Sequence, residues 1–571
     1  MPSVLVLDAD QPSTLAIVRS LGRRGLEVHV ASAEIDPLCR HSRFAATHFC
    51  YPDPLTDEPG FIEGLLRHVG SHPYALIVPV TERSVVPLMR HRDRFDPAVL
   101  AVAPTEALEQ ALDKNRTLAL ADALGIPVPR SQLVSNVDEL IASAKAFSFP
   151  IVVKPARSFG ADEARRVQLT VSYAHDQGEL ERLVGSALRY GPVILQEYFQ
   201  GEGVGIELIA DHGELKYVFQ HRRLHEVPLT GGGSSLRIAE APVPSLRAAA
   251  SALMKALGWH GVAMVEFKYD PRSGAFRLIE INGRFWGSLP LAVAAGADFP
   301  AMLYQLMSTG RVEPCAPARE GTVCRQLSRD FDWLEHVLRK AAPPGLARLP
   351  TRGEIMRDTL LIFSARHHFD VQSWRDPKPG LVDLRRIALR QWRRVAGHWA
   401  ARLRLRRERQ SAQMAGVAQL AAAKCVLFLC YGNINRSALA HVYAQRAFAS
   451  RYEFISAGFH YAEGRPADST MVEVAKQSKL DLSQWHSQSL TPEMVRRADV
   501  ILAMEVAHLE RLQRDHPAAA GKAFLLGALP VDGKQTEVPD PFGQPHGVYI
   551  GVADQIRIAV DAWFKTAARR D

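Results

Sequence analysis

Cys425-Val426-Leu427-Phe428-Leu429-Cys430-Tyr431-Gly432-Asn433-Ile434-Asn435-Arg436-Ser437 is the stretch whose reading decides the C-terminal fold. Five apolar residues lead into a short polar loop, and the helix-forming run from Ala438 to Ala449 follows. A loop that joins a strand to a helix points its backbone N–H groups at one spot. The helix N-terminus adds the positive end of its dipole there. Such a cradle suits a phosphate. The same field favours a thiolate at Cys430, and Arg436 supplies a bidentate fork for phosphate oxygens. Gly432 and Asn433 are residues that tolerate the left-handed backbone such a loop needs. Cys-x5-basic spacing alone arises by chance about 0.7 times in a chain of this composition. The flanking strand and helix, the inner Gly-Asn and the trailing Ser437 make the match specific. Cys425, at the start of the strand, reads as core.

Working outward, the chain has 571 residues, enough for roughly four domains of about 150 residues. It is 47% hydrophobic and 23% charged, an ordinary globular composition that excludes global disorder. No run of about 18 uncharged apolar residues appears, which excludes a spanning helix of the usual kind. The start, Met1-Pro2-Ser3-Val4-Leu5-Val6, lacks a basic leader, so a cytoplasmic location is expected. Six cysteines without metal-ligand spacing fit a reducing compartment, where a special cysteine is catalytic rather than structural. The net charge is +8, but residues 381 to 410 hold ten arginines against Asp383 and Glu408, so the remainder is neutral overall. The basic character belongs to one segment and does not call for a nucleic-acid partner.

The predicted architecture is α/β throughout. Strand-like runs at 3–8, 28–31, 76–80 and 100–102 alternate with helical pattern, which implies a parallel, Rossmann-like sheet over 1–110. A second block, 111–310, has strands at Pro150–Lys154, Val193–Gln196, Val262–Phe267 and Phe276–Ile281. Residues 311–422 form a proline-containing, arginine-rich helical linker. There Leu381, Leu384, Ala388, Trp392, Val395, Trp399 and Leu403 fall on one helix face. The simplest expectation is that this face packs on the preceding domain and leaves a solvated basic face; the alternative is weak contact with an anionic membrane surface. Residues 423–571 restart the βα pattern.

Over 425–570 the sequence resembles the low-molecular-weight protein tyrosine phosphatase family. The motif Cys430-x-Gly432-Asn433-x-x-Arg436-Ser437 matches, as do Ser456-Ala457-Gly458, Gly464-x-Pro466-x-Asp468 and Asp540-Pro541-Phe542. Two positions depart. Asn435 stands where the family has a second cysteine, and Ala438 where it has proline. The resemblance implies a four-stranded parallel sheet flanked by helices. It implies Cys430 as nucleophile and Asp540 as general acid and base. Arg436 would bind phosphate, Ser437 would stabilise the thiolate and Asn433 would brace the loop. The substrate would be a phosphotyrosine protein or aryl phosphate, with no cofactor. Tyr461 and Phe542 are candidates for the wall of the substrate slot. A protective disulfide at position 435 is lost. An arsenate reductase on the same fold needs further cysteines, and none follows Cys430.

In the first half, Asp113-Lys114, Val152-Val153-Lys154-Pro155, Gln196-Glu197-Tyr198-Phe199, Val265-Glu266 and Glu280-Ile281-Asn282-Gly283-Arg284 occur in an order that resembles the ATP-grasp superfamily, a match covering about 1–310. The resemblance implies ATP and Mg²⁺ as cofactors. Lys114 and Lys154 would meet the phosphates, Gln196, Glu197 and Phe199 the adenine, and Glu266, Glu280 and Asn282 the metal. Arg284 would steady an acyl phosphate. Arg157-Ser158-Phe159-Gly160 would cover the phosphates. Arg222, Arg223 and Gly231–Ser235 suggest a substrate-facing lid or an ordinary loop. The implied reaction activates an unknown carboxylate for capture by an amine or thiol. The leading reading is thus a two-enzyme fusion of ligase and phosphatase. A second keeps the phosphatase and makes the ATP-grasp part a nucleotide-binding regulatory module.

Overall fold

A computed structural model describes residues 2–95, 99–136, 139–140, 146–155, 159–162, 165–168, 171–229, 231–338, 349–460, 463–529, 537–544 and 546–569. The chain forms two compact units, Met1–Leu389 and Arg390–Asp571.

The first unit begins with β1 (Ser3–Val6), β2 (Glu27–Ser32), β3 (Ala45–Cys50) and β4 (Leu76–Val78), all parallel in the order β3-β2-β1-β4. Val4, Leu5 and Val6 are fully buried, as a strand covered on both faces requires. The helix Pro12–Arg23 has proline in its first turn, where the missing N–H costs nothing. Next come β5 (Ser131–Val134), β6 (Ile151–Pro155), the hairpin β7 (Phe159–Asp162) and β8 (Arg165–Gln168), β9 (Ser172–Ala174) and β10 (Val193–Glu197). An antiparallel sheet runs β5-β10-β6-β9. The third sheet comprises β11 (Glu202–Asp211), β12 (Glu214–Val227), β13 (Gly233–Glu240), β14 (Gly261–Tyr269), β15 (Phe276–Asn282), β16 (Val323–Arg325) and β17 (His367–Phe369), in the order β15-β14-β11-β12-β13-β16-β17. Trp259, Trp286, Phe267 and Phe285 fill its neighbourhood and are almost wholly buried.

The 311–422 segment is helical over much of its described length and also supplies β16 and β17 to this sheet. Two polar clusters fix it there. Arg237 and Asp370 form a fully buried ion pair. His225 lies between Asp330, at 2.9 Å, and Asp358, at 3.2 Å, and stacks on Trp333. These contacts join residues more than a hundred positions apart, so local pattern gave no sign of them.

In the second unit β18 (Cys425–Cys430), β19 (Glu453–Gly458), β20 (Val500–Ala503) and β21 (Ala523–Leu525) form a parallel sheet in the order β19-β18-β20-β21. Leu427, Phe428, Trp563 and Phe564 belong to its core. Among the described residues no helix is long and apolar enough to cross a membrane.

Candidate functional site

β18 ends on Cys430, and the helix Arg436–Phe448 begins six residues later. The loop between them curls around the Cys430 sulfur. Asn433 donates its N–H to Sγ at 3.2 Å, and Ser437 Oγ lies 3.0 Å from Sγ. Asn433 alone in the loop takes the left-handed conformation, with φ 53°; Gly432 does not need it. Asn433 Nδ2 donates to Ser437 Oγ at 2.9 Å and also to Ser456 Oγ. Asn433 Oδ1 accepts from the Gln488 N–H at 2.8 Å, and its carbonyl accepts from Trp485 Nε1 at 2.8 Å. The asparagine is therefore a fully engaged brace. Gly458, opposite Cys430 on β19, has a simple reason: a Cβ there would lie 2.7 Å from the Tyr431 carbonyl oxygen.

Arg436 is 2% exposed. It donates to Glu505 Oε1 at 2.7 Å and to the Val538 carbonyl at 2.9 Å, and its other terminal nitrogen lies 2.9 Å from Asp540 Oδ2. Asp540 is thus brought to the loop across more than a hundred residues of sequence. Glu505 was missed by sequence reading. It sits just beyond β20, at the start of the helix Val506–Asp515, and an acid at a helix N-terminus is too common to stand out. His508, one turn on, is held near pKa 4 by burial and then by the positive charge of Arg436. Tyr431 and Phe542 are exposed: one belongs to the loop, the other follows Asp540. Tyr461 lies outside the described residues. Asn435 is buried, and among the described residues no protein group bonds its Oδ1. Cys425 is at the far end of β18, as expected.

In the first unit β14 and β15 bring Glu266 opposite Glu280 and Met264 opposite Asn282. Asn282 Nδ2 lies 3.2 Å from Glu266 Oε1 and 3.4 Å from Glu280 Oε1. Asn282 turns its amide nitrogen to both carboxylates, so the three side chains that could ligate a hard cation lie together. Cations surround them. Lys114 Nζ is 3.5 Å from Glu280, and Arg223 is 2.6 Å from Glu266. Burial pushes the Glu280 carboxyl up, but Lys114, Lys154, Arg284 and Arg223 together outweigh it and hold it below the usual range. Lys154, on β6, is pushed down to about 8 by burial and by Lys114. Arg284 donates to Glu82 Oε1 at 3.2 Å. Gln196 is buried and donates to Ser131 Oγ. Glu197 faces Arg277, whose guanidinium also lies 4.9 Å from the centre of the Phe199 ring.

Arg222 and Arg223 lie within β12, and Gly233–Ser235 within β13, with Val227 paired to Gly233. The glycine run marks a turn between two long strands, and Arg223 serves Glu266. Arg157 and Ser158 of the phosphate-covering stretch lie outside the described residues.

The family described as low molecular weight phosphotyrosine protein phosphatase matches residues 425–571. The family described as ATP-grasp in the biosynthetic pathway with Ter operon matches residues 189–329. The chain is 35% identical over 140 residues to a probable low molecular weight protein-tyrosine-phosphatase, EpsP, of Ralstonia nicotianae, over 24% of this chain and 93% of that protein. It is 28% identical over 220 residues to the carbamoyl phosphate synthase large chain of Thermus thermophilus, over 36% of this chain but only 21% of that protein. A solved structure of Vibrio vulnificus Wzb in complex with benzylphosphonate is 33% identical, over 25% of this chain and 98% of that one, with a TM-score of 0.24.

Proposed function

Because the chain belongs, through residues 425–571, to the low molecular weight phosphotyrosine protein phosphatase family and carries an ATP-grasp region before it, we propose that it is a bifunctional enzyme. One site hydrolyses aryl phosphates through a phosphocysteine, and the other ligates a carboxylate at the expense of ATP. The observation that carries the first reading is the convergence of Cys430, Arg436 and Asp540 on one loop.

The hydrolytic reaction proceeds in two displacements. Cys430 Sγ attacks phosphorus as the P–O bond to the phenol breaks, and Asp540 gives its proton to the departing oxygen. Water then attacks phosphorus, Asp540 takes its proton, and the S–P bond breaks to release inorganic phosphate. Ser437 and the Asn433 N–H steady the sulfur while it carries charge. Arg436 and the loop amides hold the equatorial oxygens of a loose transition state. Without substrate, Asp540 pairs with Arg436. Arriving phosphate takes over that guanidinium and frees the carboxyl for the leaving oxygen. Asp540→Asn is therefore expected to slow turnover most for poor leaving groups. Tyrosyl phosphate hydrolysis should fall about 10²-fold or more, and dinitrophenyl phosphate hydrolysis much less. An equal loss on both would mean that Asp540 only positions Arg436.

In the ligase half, Lys114 and Lys154 would neutralise ATP phosphates, and Glu266, Glu280 and Asn282 would hold Mg²⁺, which would supply positive charge during phosphoryl transfer to the carboxylate. Arg284 steadies the acyl phosphate, and an amine or thiol displaces its phosphate. Support comes from the three hard ligands and two lysines meeting around Glu280. A pH dependence follows. Lys154 loses its proton near pH 8 in the free protein, whereas the ATP-bound state needs it charged. ATP affinity should weaken above pH 8, approaching tenfold per pH unit, with proton uptake on binding. Calorimetry in buffers of differing ionisation enthalpy measures both. An affinity flat from pH 7 to 9.5 would remove Lys154 from the phosphate site.

A further inference from the structure

The helix Pro377–Ser411 packs at Ile387, which is buried, and at Leu405, which packs against the core of the second unit. An apolar stripe lies about a third of a turn around the helix from these two positions. There Leu381, Leu384, Trp392, Trp399 and Leu403 are 64%, 43%, 68%, 60% and 53% exposed. This corrects the simplest expectation, in which that face packed on the preceding domain: the helix packs at Ile387 and Leu405 instead. Charge accompanies the exposed stripe. Residues 381–410 contain ten arginines and two acids, and Arg385, Arg393 and Arg407 follow the stripe along one flank, all exposed. Arg386 and Arg404 are engaged elsewhere, with Asp36 and Glu510.

We propose that this stripe docks on an anionic lipid surface. An amphipathic helix with tryptophan and leucine on one face and arginines beside them lies in the plane of the interface, its rings at headgroup depth. The arginines bury their stems along the apolar surface and reach out to lipid phosphates. A nucleic acid would match the arginines but leave five large apolar side chains without a role. A second copy of the helix would bring one cationic face against another. Neither unit need unfold, and no segment need cross the bilayer.

The test uses the full chain and vesicles of phosphatidylcholine, alone or mixed with phosphatidylglycerol. Sedimentation should show binding to the anionic vesicles only, weakened by salt, with a blue shift of tryptophan fluorescence. The double substitution Trp392→Ser, Trp399→Ser should weaken binding about tenfold or more and remove the shift. Arg385→Gln, Arg393→Gln, Arg407→Gln together should also weaken it. Both variants should keep native circular dichroism and aryl phosphate hydrolysis. Equal binding to neutral vesicles, or unchanged binding by the tryptophan variant, would overturn the proposal. So would heparin competing equally with wild type and tryptophan variant, which would indicate mere polyanion binding. Dimerisation in ultracentrifugation that the tryptophan variant loses would assign the stripe to a second copy instead.

Discussion

Cys430→Ser should abolish hydrolysis of aryl phosphates by the full chain while leaving circular dichroism unchanged. The expected loss is about 10⁴-fold or more, the order seen when the nucleophile of a catalytic unit is removed. Serine is close in size, and the loop does not depend on the sulfur for its shape. Asn433 is held by Ser437, Ser456, Gln488 and Trp485, and these bonds survive the exchange. The introduced hydroxyl would then sit where the donors stabilise an anion, yet an alkoxide is far harder to form than a thiolate. Phosphate binding should persist, since Arg436 and the loop amides remain, and calorimetric titration of the variant with inorganic phosphate measures it. Retained turnover would assign the chemistry elsewhere. Loss of phosphate binding together with turnover would show that the substitution damaged the loop.

The second large effect is expected at Glu280. ATP with Mg²⁺ at about one hundred times its dissociation constant should stabilise the first unit by about 2.7 kcal/mol, a thermal shift of a few degrees for a domain of this size. Glu280→Ala should erase that shift. Glu280 is the carboxylate on which Lys114, Lys154, Arg284 and Arg223 all act, and it adjoins Asn282. Removing it takes a carboxylate from the proposed Mg²⁺ site and leaves Lys114 and Lys154 repelling one another. Glu280→Gln, which preserves volume, should behave the same way. Scanning calorimetry with and without Mg²⁺ provides the comparison. A full shift in both variants would make Glu280 a structural partner of Lys114 and no more.

The phosphate loop was legible because its geometry is local. A strand, a tight loop and a helix N-terminus are adjacent in the chain, and Cys430, Asn433, Arg436 and Ser437 span eight residues. Glu266, Glu280 and Asn282 were legible only through their order, and their meeting depends on the antiparallel register of β14 and β15. Glu505 was not legible, because nothing near it in sequence indicates that Arg436 lies within reach. The extent of the Gly231–Ser235 turn was not legible for a related reason: glycine signals a turn, but pairing of the flanking strands decides how far the turn extends. For the arginine-rich helix the periodicity was visible. Which of its residues pack was decided by tertiary contacts at Ile387 and Leu405.

The joining of β16 and β17 to the large sheet governs how this protein can be divided. A fragment ended at residue 310 contains every residue assigned to the ATP site, yet it strips β16 from the side of β13. That exposes a row of unpaired N–H and C=O groups along an edge strand, a template for pairing with other chains and hence for aggregation. It also takes Asp370 from the guanidinium of Arg237. The segment after residue 310 belongs to the same compact unit as the ATP-grasp sheets and acts as a built-in edge guard.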